Sequence, residues 1–488
     1  MWSMATHPKL PNFISSFGKL PEILFRKGTM SPVAAPAFVV QNSALASQIG
    51  LSEYWLNSND ALQSLAGNMP LQNVEPLAMA YAGHQFGHFT PSLGDGRAVL
   101  IGEIIAAGGI HFDLHLKGSG RTAYSRGGDG RATLSAMLRE YIISEAMAAL
   151  GIPTTRALAV IQTGRWVQRE KMEQGAVLTR IAKSHVRVGT FQYLAVREEY
   201  AAMQELIDHE LALNFPGAPQ GSEKFIWFLN QVIARQATLI AKWMNVGFIH
   251  GVMNTDNMQV AGETIDYGPC AFMDHFNPAK TFSSIDQNGR YAWDKQPVVA
   301  LWNLTRLAEA MLPLLATNTE DAIKLAEAEL LKFMPAFENA FEIGMSKKLG
   351  NPTNIGGDFI ATTLQILADT EADFTLFFST LTQVADGASA NLLNGFFQNS
   401  DQQVEWINLW HEKIGKPYAQ LMVTSNPVYI PRNHFVEQAL HAANLGDLKP
   451  FHRLITAITK PFERRTEFND LELAPTKDEV VHQTFCGT

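Results

Sequence analysis

The residues best suited to chemistry lie in two neighbouring stretches in the middle of the chain. The first, 247–257, reads Gly-Phe-Ile-His-Gly-Val-Met-Asn-Thr-Asp-Asn, an apolar approach followed by an acidic and amide-rich loop. The second is a short β-type run that ends in Asp266-Tyr267-Gly268. Hard oxygen ligands on two nearby loops suit Mg²⁺, which takes one or two protein carboxylates and completes its shell with substrate phosphate and water. The pattern therefore predicts a magnesium site beside a bound phosphate.

The order of these residues is typical of protein kinases, with one exception. Kinases combine a catalytic loop, H-R-D-x-x-x-x-N, with a metal-binding D-F-G. His250 fits the histidine, Asn257 stands seven residues later as the asparagine should, and Asp266 begins the triplet that corresponds to D-F-G. The position of the kinase's catalytic aspartate is occupied by Val252. The chain is therefore either an inactive kinase-like protein or an enzyme that uses a different base.

An upstream glycine-rich turn and a lysine are suited to binding phosphate. Gly94 and Gly96 lie in a Gly-Asp-Gly-Arg sequence that leads into a predicted strand over 98–105, and a hairpin turn joins it to a return strand over 110–117. Alternation along the return strand puts Lys117 on the face opposite the apolar residues, under the turn. Glycines let the backbone N–H groups approach phosphates, and the lysine adds positive charge. An ordinary hairpin turn is the alternative for the glycines alone.

The Gly-Asp-Gly-Arg sequence recurs at 128–131, directly before a predicted helix over 132–150. A helix N-terminus attracts anions, so this second cluster is a further candidate for phosphate binding. Glu140 lies off the apolar stripe of the helix and can reach Lys117 if the helix packs beside the sheet. Such a pair holds the lysine for the phosphates in kinases; a solvated helix charge is the alternative.

A basic segment follows in an otherwise acidic protein. Arg180, Lys183 and Arg187 lie within eight residues of each other. Next to glycine loops such a cluster favours phosphate binding. A solvated basic edge is the alternative, and the segment alone does not decide between them.

The elements that must position these residues form an α+β arrangement. A long, mostly buried helix over 225–244 is predicted to deliver the chain to the His250 loop. Further helices are expected at 357–370, 374–386, 402–414, 433–444 and 450–458. We predict a protein-kinase-like bilobal fold with four regions: an N-terminal extension (1–80), a strand-rich N-lobe (81–195), a helical C-lobe (196–345) and a C-terminal helical region (346–488).

Composition limits the kind of protein. The 488 residues are 46% hydrophobic and 17% charged, as in a well-cored globular protein, and the net charge of −9 argues against a general nucleic-acid binder. Two cysteines, Cys270 and Cys486, cannot build a disulfide framework. The N-terminus lacks the apolar core of a signal peptide, and no uninterrupted apolar run reaches the roughly 20 residues of a membrane span. We therefore expect a cytoplasmic protein with no membrane or nucleic-acid partner.

Several long stretches carry a family resemblance. They are YAGHQFGHF (81–89), LGDGRAVLIGE (93–103), HLKGSGRTAYSRGGDGRATL (115–134), GIPTTRALAV (151–160), and GFIHGVMNTDNM with DYGP (247–258 and 266–269). These stretches resemble the selenoprotein O family, also called YdiU-type, kinase-like proteins formerly described as pseudokinases. The tail resembles the family's terminal end, which carries Cys or selenocysteine; here it carries Cys486.

The resemblance implies a protein adenylyltransferase. AMP would pass from ATP to Ser, Thr or Tyr hydroxyls of target proteins with release of diphosphate, from a nucleotide bound in an orientation flipped from that of kinases. UMP transfer from UTP is also attributed to members. The nucleotide would be held by Gly94, Gly96, Arg97, Lys117, Asp129, Gly130, Arg180 and Arg187.

The resemblance also implies the remaining roles. Glu140 would pair with Lys117, Asn257 and Asp266 would bind Mg²⁺, with Mn²⁺ as the other candidate, and Asp256 would accept the proton. Two alternatives stay open: a phosphoryl-transferring kinase that uses Asp256, and an ATP-binding scaffold without turnover.

The two cysteines raise a regulatory hypothesis. Cys270 closely follows the Asp-Tyr-Gly triplet, and Cys486 lies on a tail that could reach it. A Cys270–Cys486 disulfide formed under oxidation could gate the site. Two reduced thiols are the alternative, because disulfides are rare in the cytosol.

Overall fold

The computed structural model describes residues 11–28, 30–169 and 171–484. Its strands are β1 Phe25–Lys27, β2 Ala37–Gln41, β3 Leu77–Met79, β4 Gly83–Gln85, β5 His88–Thr90, β6 Ala98–Ile105, β7 His111–Lys117, β8 Ala132–Thr133, β9 Arg156–Gln168, β10 Met172–Ala182, β11 Phe248–Ile249 and β12 Ala271–Phe272. The helices are α1 Ser43–Gln48, α2 Glu53–Leu56, α3 Asn59–Leu65, α4 Leu134–Ala149, α5 Val188–Ala195, α6 Tyr200–Asn214, α7 Glu223–Asn245, α8 Gln296–Leu315, α9 Thr319–Leu330, α10 Phe333–Lys348, α11 Gly357–Asp369, α12 Phe374–Ala385, α13 Ser400–Ile414, α14 Ala419–Val423, α15 Asn433–Asn444 and α16 Lys449–Ile458. A sheet-rich N-terminal part and a helical C-terminal part make an α+β fold, as expected.

The main sheet is antiparallel throughout the described residues. Its strand order is β1-β3-β6-β7-β10-β9-β2, and β8 pairs with β10. The predicted β6–β7 hairpin lies at its centre and pairs Ala98 with Lys117. Residues assigned to the N-terminal extension supply β1, β2 and β3, so the sheet continues across residue 80.

The two faces of the sheet serve different purposes. One face packs against α1–α3, in a cluster that includes Leu114 and Leu116 of β7. On the opposite face of β7, Asp113, His115 and Lys117 are also buried, at 6%, 0% and 7% exposure. Alternation correctly separates the two faces, but both are buried because Glu140 of α4 contacts Lys117 and His185 contacts Asp113 on the polar side. The polar face of β7 is therefore part of the interior.

Helix α4 lies across the polar side of the sheet and links it to the C-terminal part. Thr133 caps its N-terminus by accepting a hydrogen bond from Ala136 N, and Gly151 follows its end with a φ of 73°. The helix packs against β9 and β10 on one side and against α15 and α16 on the other. Enclosure on both sides explains why Glu140 is buried, at 3% exposure.

The helical predictions are confirmed with small shifts at the ends. The helix expected over 225–244 is α7, and the C-terminal helices expected from 357 onward are α11, α12, α13, α15 and α16. Within the described residues, Trp293–Leu315 is long and apolar enough to cross a membrane by length and composition alone. Half of its most apolar 18-residue stretch is buried, and α8 packs against α5, α7 and α9 as core helices do.

Candidate active site

A cleft of about 680 Å³ opens where the glycine-rich turn before β6 meets the loops that follow α7. All the residues predicted to bind nucleotide or metal, and the predicted base, line it: Gly94, Gly96, Arg97, Lys117, Asp129, Gly130, Arg180, Arg187, Asp256, Asn257 and Asp266. Glu140 stands behind this lining, on α4. The tertiary structure thus brings together side chains that are far apart in the sequence.

The end of β7 meets α4 through a buried ion pair. Lys117 Nζ lies 2.6 Å from Glu140 Oε2, and Arg180 Nε on the adjacent strand β10 donates to Glu140 Oε1 at 2.8 Å. Burial alone would raise the pKa of Glu140, but the charges of Arg180 and Lys117 outweigh it and lower that pKa. Glu140 is therefore a carboxylate at neutral pH and fixes both cations at the floor of the cleft.

Asp266 forms hydrogen bonds with the same two cations. Its Oδ1 accepts hydrogen bonds from Lys117 Nζ and Arg180 Nη2, each at 2.7 Å, and Arg187 Nη1 lies 3.6 Å from Oδ2. Burial opposes ionisation, but these charges hold the pKa of Asp266 well below its usual range. Its φ of 63° is left-handed, a conformation that Asp tolerates better than most residues and that recurs at functional sites.

Arg187 is held by three groups that line the same cleft. Its Nη1 donates to the main-chain oxygen of Asp256 at 2.9 Å, its guanidinium lies 4.5 Å from the ring centroid of Tyr81, and its Nη2 lies 3.7 Å from Asp95 Oδ1. Asp95 is itself anchored, since its Oδ2 lies 3.0 Å from His115 Nε2. The arginine is thus fixed beside the main chain of the predicted base.

Sequence reasoning did not select Tyr81 or Asp95 as site residues. Tyr81 begins the stretch YAGHQFGHF, and Asp95 stands between the two glycines of the turn. Which residues of a motif face the cleft depends on backbone geometry. Gly94 has a φ of 67°, and a Cβ there would lie 2.3 Å from the Tyr124 ring, so the turn requires glycine for both conformation and space.

Asp256 lies in a 3₁₀ turn, Thr255–Asn257, and is only 8% exposed. Its Oδ2 accepts a hydrogen bond from Gln85 Nε2 at 3.4 Å, whereas its buried Oδ1 has no hydrogen-bond partner among the described residues. Burial raises the pKa of Asp256 to about 6, and the nearby Arg187 acts in the opposite direction. A carboxylate with a pKa near neutrality and an unsatisfied oxygen is suited to accept a proton.

The donor set at the cleft fits a magnesium ion. Asn257 Nδ2 donates to Val252 O at 3.1 Å, which turns the amide oxygen away from Val252. Asp266 supplies a carboxylate that lines the same cleft. No group of three or more His, Cys, Asp or Glu side chains that could hold a metal occurs among the described residues. Few protein oxygens are what Mg²⁺ uses when substrate phosphate and water complete its shell.

The second glycine cluster is separated from α4 by a short strand. Strand β8 stands between the cluster and α4, and the cap residue Thr133 does not line this cleft, so the anion site at this helix N-terminus stays a prediction. Gly130 and Asp129 do line the cleft. Asp129 lies at the rim, where both its oxygens accept hydrogen bonds from Arg169 at 3.0 Å.

The remaining predicted residues fall outside the cleft or outside the described chain. Lys183 is exposed and does not line the cleft, so the basic segment contributes only its two arginines. Cys270 is buried. Cys486 lies outside the described residues, and the Cys270–Cys486 disulfide stays a prediction.

Comparison with known proteins agrees with the resemblance seen in the motifs. The family model described as "Protein adenylyltransferase SelO" matches residues 11–459. Curated relatives named "Protein nucleotidyltransferase YdiU" include one from Rhodopseudomonas palustris (strain BisB5), 47% identical over 98% of this chain and 99% of its own length. A relative of the same name from Nitrobacter hamburgensis is 45% identical over 100% of this chain and 98% of its own length. The chain belongs to the protein adenylyltransferase SelO family.

Proposed function

We propose that this cleft transfers AMP from ATP to the hydroxyl group of Ser, Thr or Tyr side chains in target proteins, with UTP as a second candidate donor. The observation that carries the proposal is that a buried carboxylate, Asp256, and three buried cations line the same cleft. The pKa of Asp256 is raised to about 6, which suits a base, and Lys117, Arg180 and Arg187 suit a polyphosphate. Membership of the family supports the same reaction.

The leaving group explains the number of cations. Attack of a hydroxyl oxygen on the α-phosphorus forms one P–O bond and breaks the bond to diphosphate, which carries more charge than the AMP that is transferred. Lys117 and Arg180 are already fixed by Glu140, so they need little reorganisation to stabilise the developing charge. Preorganised charge of this kind is usually the largest contribution to catalysis.

Different residues would accept the proton and hold the metal. The hydroxyl proton would pass to the carboxylate of Asp256 as the P–O bond forms. Asn257 and Asp266 would hold Mg²⁺ or Mn²⁺, which when bound would neutralise phosphate charge. Asp266 now contacts Lys117 and Arg180. A bound triphosphate would compete for these cations and so release the Asp266 carboxylate to the metal.

The position of Val252 favours nucleotidyl transfer over phosphoryl transfer. A kinase has its base at this position, aligned with the γ-phosphate. Here the carboxylate is at Asp256, next to the proposed metal ligand Asn257. This displacement of the base fits a nucleotide bound in the flipped orientation. We also propose a kinase-like bilobal fold, because the glycine turn, Lys117, Glu140, Asn257 and Asp266 follow one another in the order seen in kinases.

Separately labelled ATP tests the proposal. The protein is incubated with Mg²⁺ and ATP labelled at the α- or at the γ-phosphate, and protein-bound label is measured. We expect label from the α-position only, with diphosphate released in equal amount. Label from the γ-position alone would show a kinase, and bound ATP without any transferred label would show a scaffold; either result contradicts the proposal.

A further inference from the structure

We propose that the hairpin of β4 and β5, residues 83–90, positions the base, and that Gln85 is the positioning residue for Asp256. The inference rests on the proposed role of Asp256 and so deepens the proposed function. The hairpin belongs to the stretch YAGHQFGHF, most of which the proposed mechanism does not use.

Three consecutive residues of the hairpin, 84–86, form hydrogen bonds with three consecutive residues of the loop that carries the base, 254–256. His84 N donates to Thr255 Oγ1 at 2.7 Å, and Phe86 N donates to Asn254 Oδ1 at 3.1 Å. Between them, the Gln85 side chain donates to Asp256 Oδ2. The hairpin therefore holds the side chains of the two residues that precede the base and contacts the carboxylate itself.

The start of the hairpin is shaped to the carboxylate. Gly83 has no left-handed φ, so backbone conformation does not require glycine there. A Cβ at this position would lie 2.5 Å from Asp256 Oδ1 and 2.8 Å from Leu93 Cδ1, closer than real Cβ contacts. The absent side chain leaves room for the carboxylate and lets the hairpin approach it.

The hairpin is anchored to the rest of the protein. Ala82 N, directly before it, donates to Gly189 O of α5 at 2.9 Å. His84 Nδ1 lies 2.8 Å from Gln192 Nε2 of the same helix, and its ring lies 5.1 Å from that of Trp302 on α8. Because two core helices hold it, the hairpin is a fixed support, unlike a loop that closes over the substrate.

The hydrogen bond makes the two carboxylate oxygens of Asp256 inequivalent. Oδ2 is occupied by Gln85, whereas Oδ1 has no partner among the described residues. The proton of the acceptor hydroxyl would move to the Asp256 carboxylate while its oxygen forms the bond to the α-phosphorus and diphosphate leaves. Gln85 thus acts by setting the orientation of the carboxylate, and misplacement of a reacting group can cost about 10²-fold in rate.

The test replaces Gln85 by a side chain of similar length that cannot donate. For Gln85→Met we expect kcat for transfer from α-labelled ATP to fall about tenfold, while the KM for ATP and the Kd measured by calorimetry stay within about twofold. His88→Ala, at the exposed end of the same hairpin, is the matched control and should keep wild-type kcat. Wild-type kcat in Gln85→Met, or an equal loss in His88→Ala, would overturn the positioning role.

A double variant separates positioning from structural weakening. If Gln85 acts through Asp256, adding Gln85→Met to Asp256→Ala should leave the residual transfer rate within about twofold. A further tenfold loss would show that Gln85 acts independently and would overturn the inference. If wild-type protein transfers no α-label, the proposed function fails together with the inference. If wild type transfers label and Gln85→Met equals it, the inference alone fails.

Discussion

Lys117, Arg180 and Arg187 converge on one carboxylate, Asp266, whereas Glu140 receives only Lys117 and Arg180. Each cation is less than 10% exposed, so none is an ordinary solvated charge. Breaking a buried pair by removing one partner costs far more than losing a surface pair, because the remaining charge stays buried. The roles of individual residues can therefore be separated by measuring stability as well as activity.

Asp256→Ala should remove most of the transfer activity and keep nucleotide binding. Loss of a single acid–base group costs roughly 10²- to 10⁴-fold in rate, while the residues proposed to hold the phosphates are unchanged. Transfer from α-labelled ATP gives kcat, and calorimetry gives the Kd for ATP. Activity equal to wild type would refute Asp256 as the base.

Glu140→Gln should lower the free energy of unfolding by about 3–5 kcal/mol, since it leaves two buried cations, Lys117 and Arg180, with Asp266 as their shared carboxylate. Glu437→Gln is a matched control on α15, because that carboxylate is half-exposed beside Arg139 and its loss should cost at most about 1 kcal/mol. Urea unfolding of both variants measures the difference. Equal effects would show that the Glu140 pairs contribute no more than a surface pair.

At the scale of elements, β7 shows how a strand can carry function on a face that is fully enclosed. Its polar residues are buried, and each has a partner. At the far end from Lys117, His111 Nε2 lies 3.1 Å from Glu103 Oε2 on β6. Burial lowers the pKa of His111, but Glu103 and Asp113 outweigh it and raise it to about 9.

The His111–Glu103 pair predicts a pH dependence of stability. A histidine whose pKa is raised on folding, from 6.5 to about 9, stabilises the protein fully below about pH 6.5 and loses this contribution as the pH rises through 9. The difference in unfolding free energy between wild type and His111→Gln should therefore shrink from pH 6 to pH 10. Urea titrations at these pH values test it; a difference that grows with pH would contradict the assignment.

At the scale of the whole molecule, the C-terminal helices hold the segment that follows Asp266. Arg139 of α4 donates to the main-chain oxygens of Gly268 and Cys270, and also to Asn433 of α15. Arg432, which is fully buried, pairs with Asp274 and with Asp373 before α12. The chain is a protein nucleotidyltransferase by family, and regions remote from its cleft stabilise the loop that carries Asp266.

Arg432→Gln tests this coupling. The buried Asp373 and the half-buried Asp274 would lose their shared cation, so we expect a destabilisation of about 3–5 kcal/mol. Limited proteolysis should then cut first within 273–295, the segment between β12 and α8. Arg453→Gln, which breaks an exposed pair with Asp470, is the control and should change neither measurement much. First cleavage elsewhere in Arg432→Gln would contradict the coupling.

Local patterns in the sequence determined much of this protein. β-Branched content located β6, and period-two alternation located the face of β7 that bears Lys117. Helical periodicity located α7 and most C-terminal helices, and long motifs identified the family and the residues now found around one cleft. These features depend on neighbours within a few residues, which a sequence displays directly.

Only the tertiary structure decided which groups meet. Lys117 contacts Glu140 and Asp266, which are 23 and 149 residues away along the chain, and the resulting burial turns apparent surface charges into interior ones. It also showed that β8 separates the second glycine cluster from α4, that Lys183 is exposed outside the cleft, and that Asp95 and Gln85 contact Arg187 and Asp256. Such outcomes depend on packing between distant segments, and the free energy of a charge depends on what encloses it.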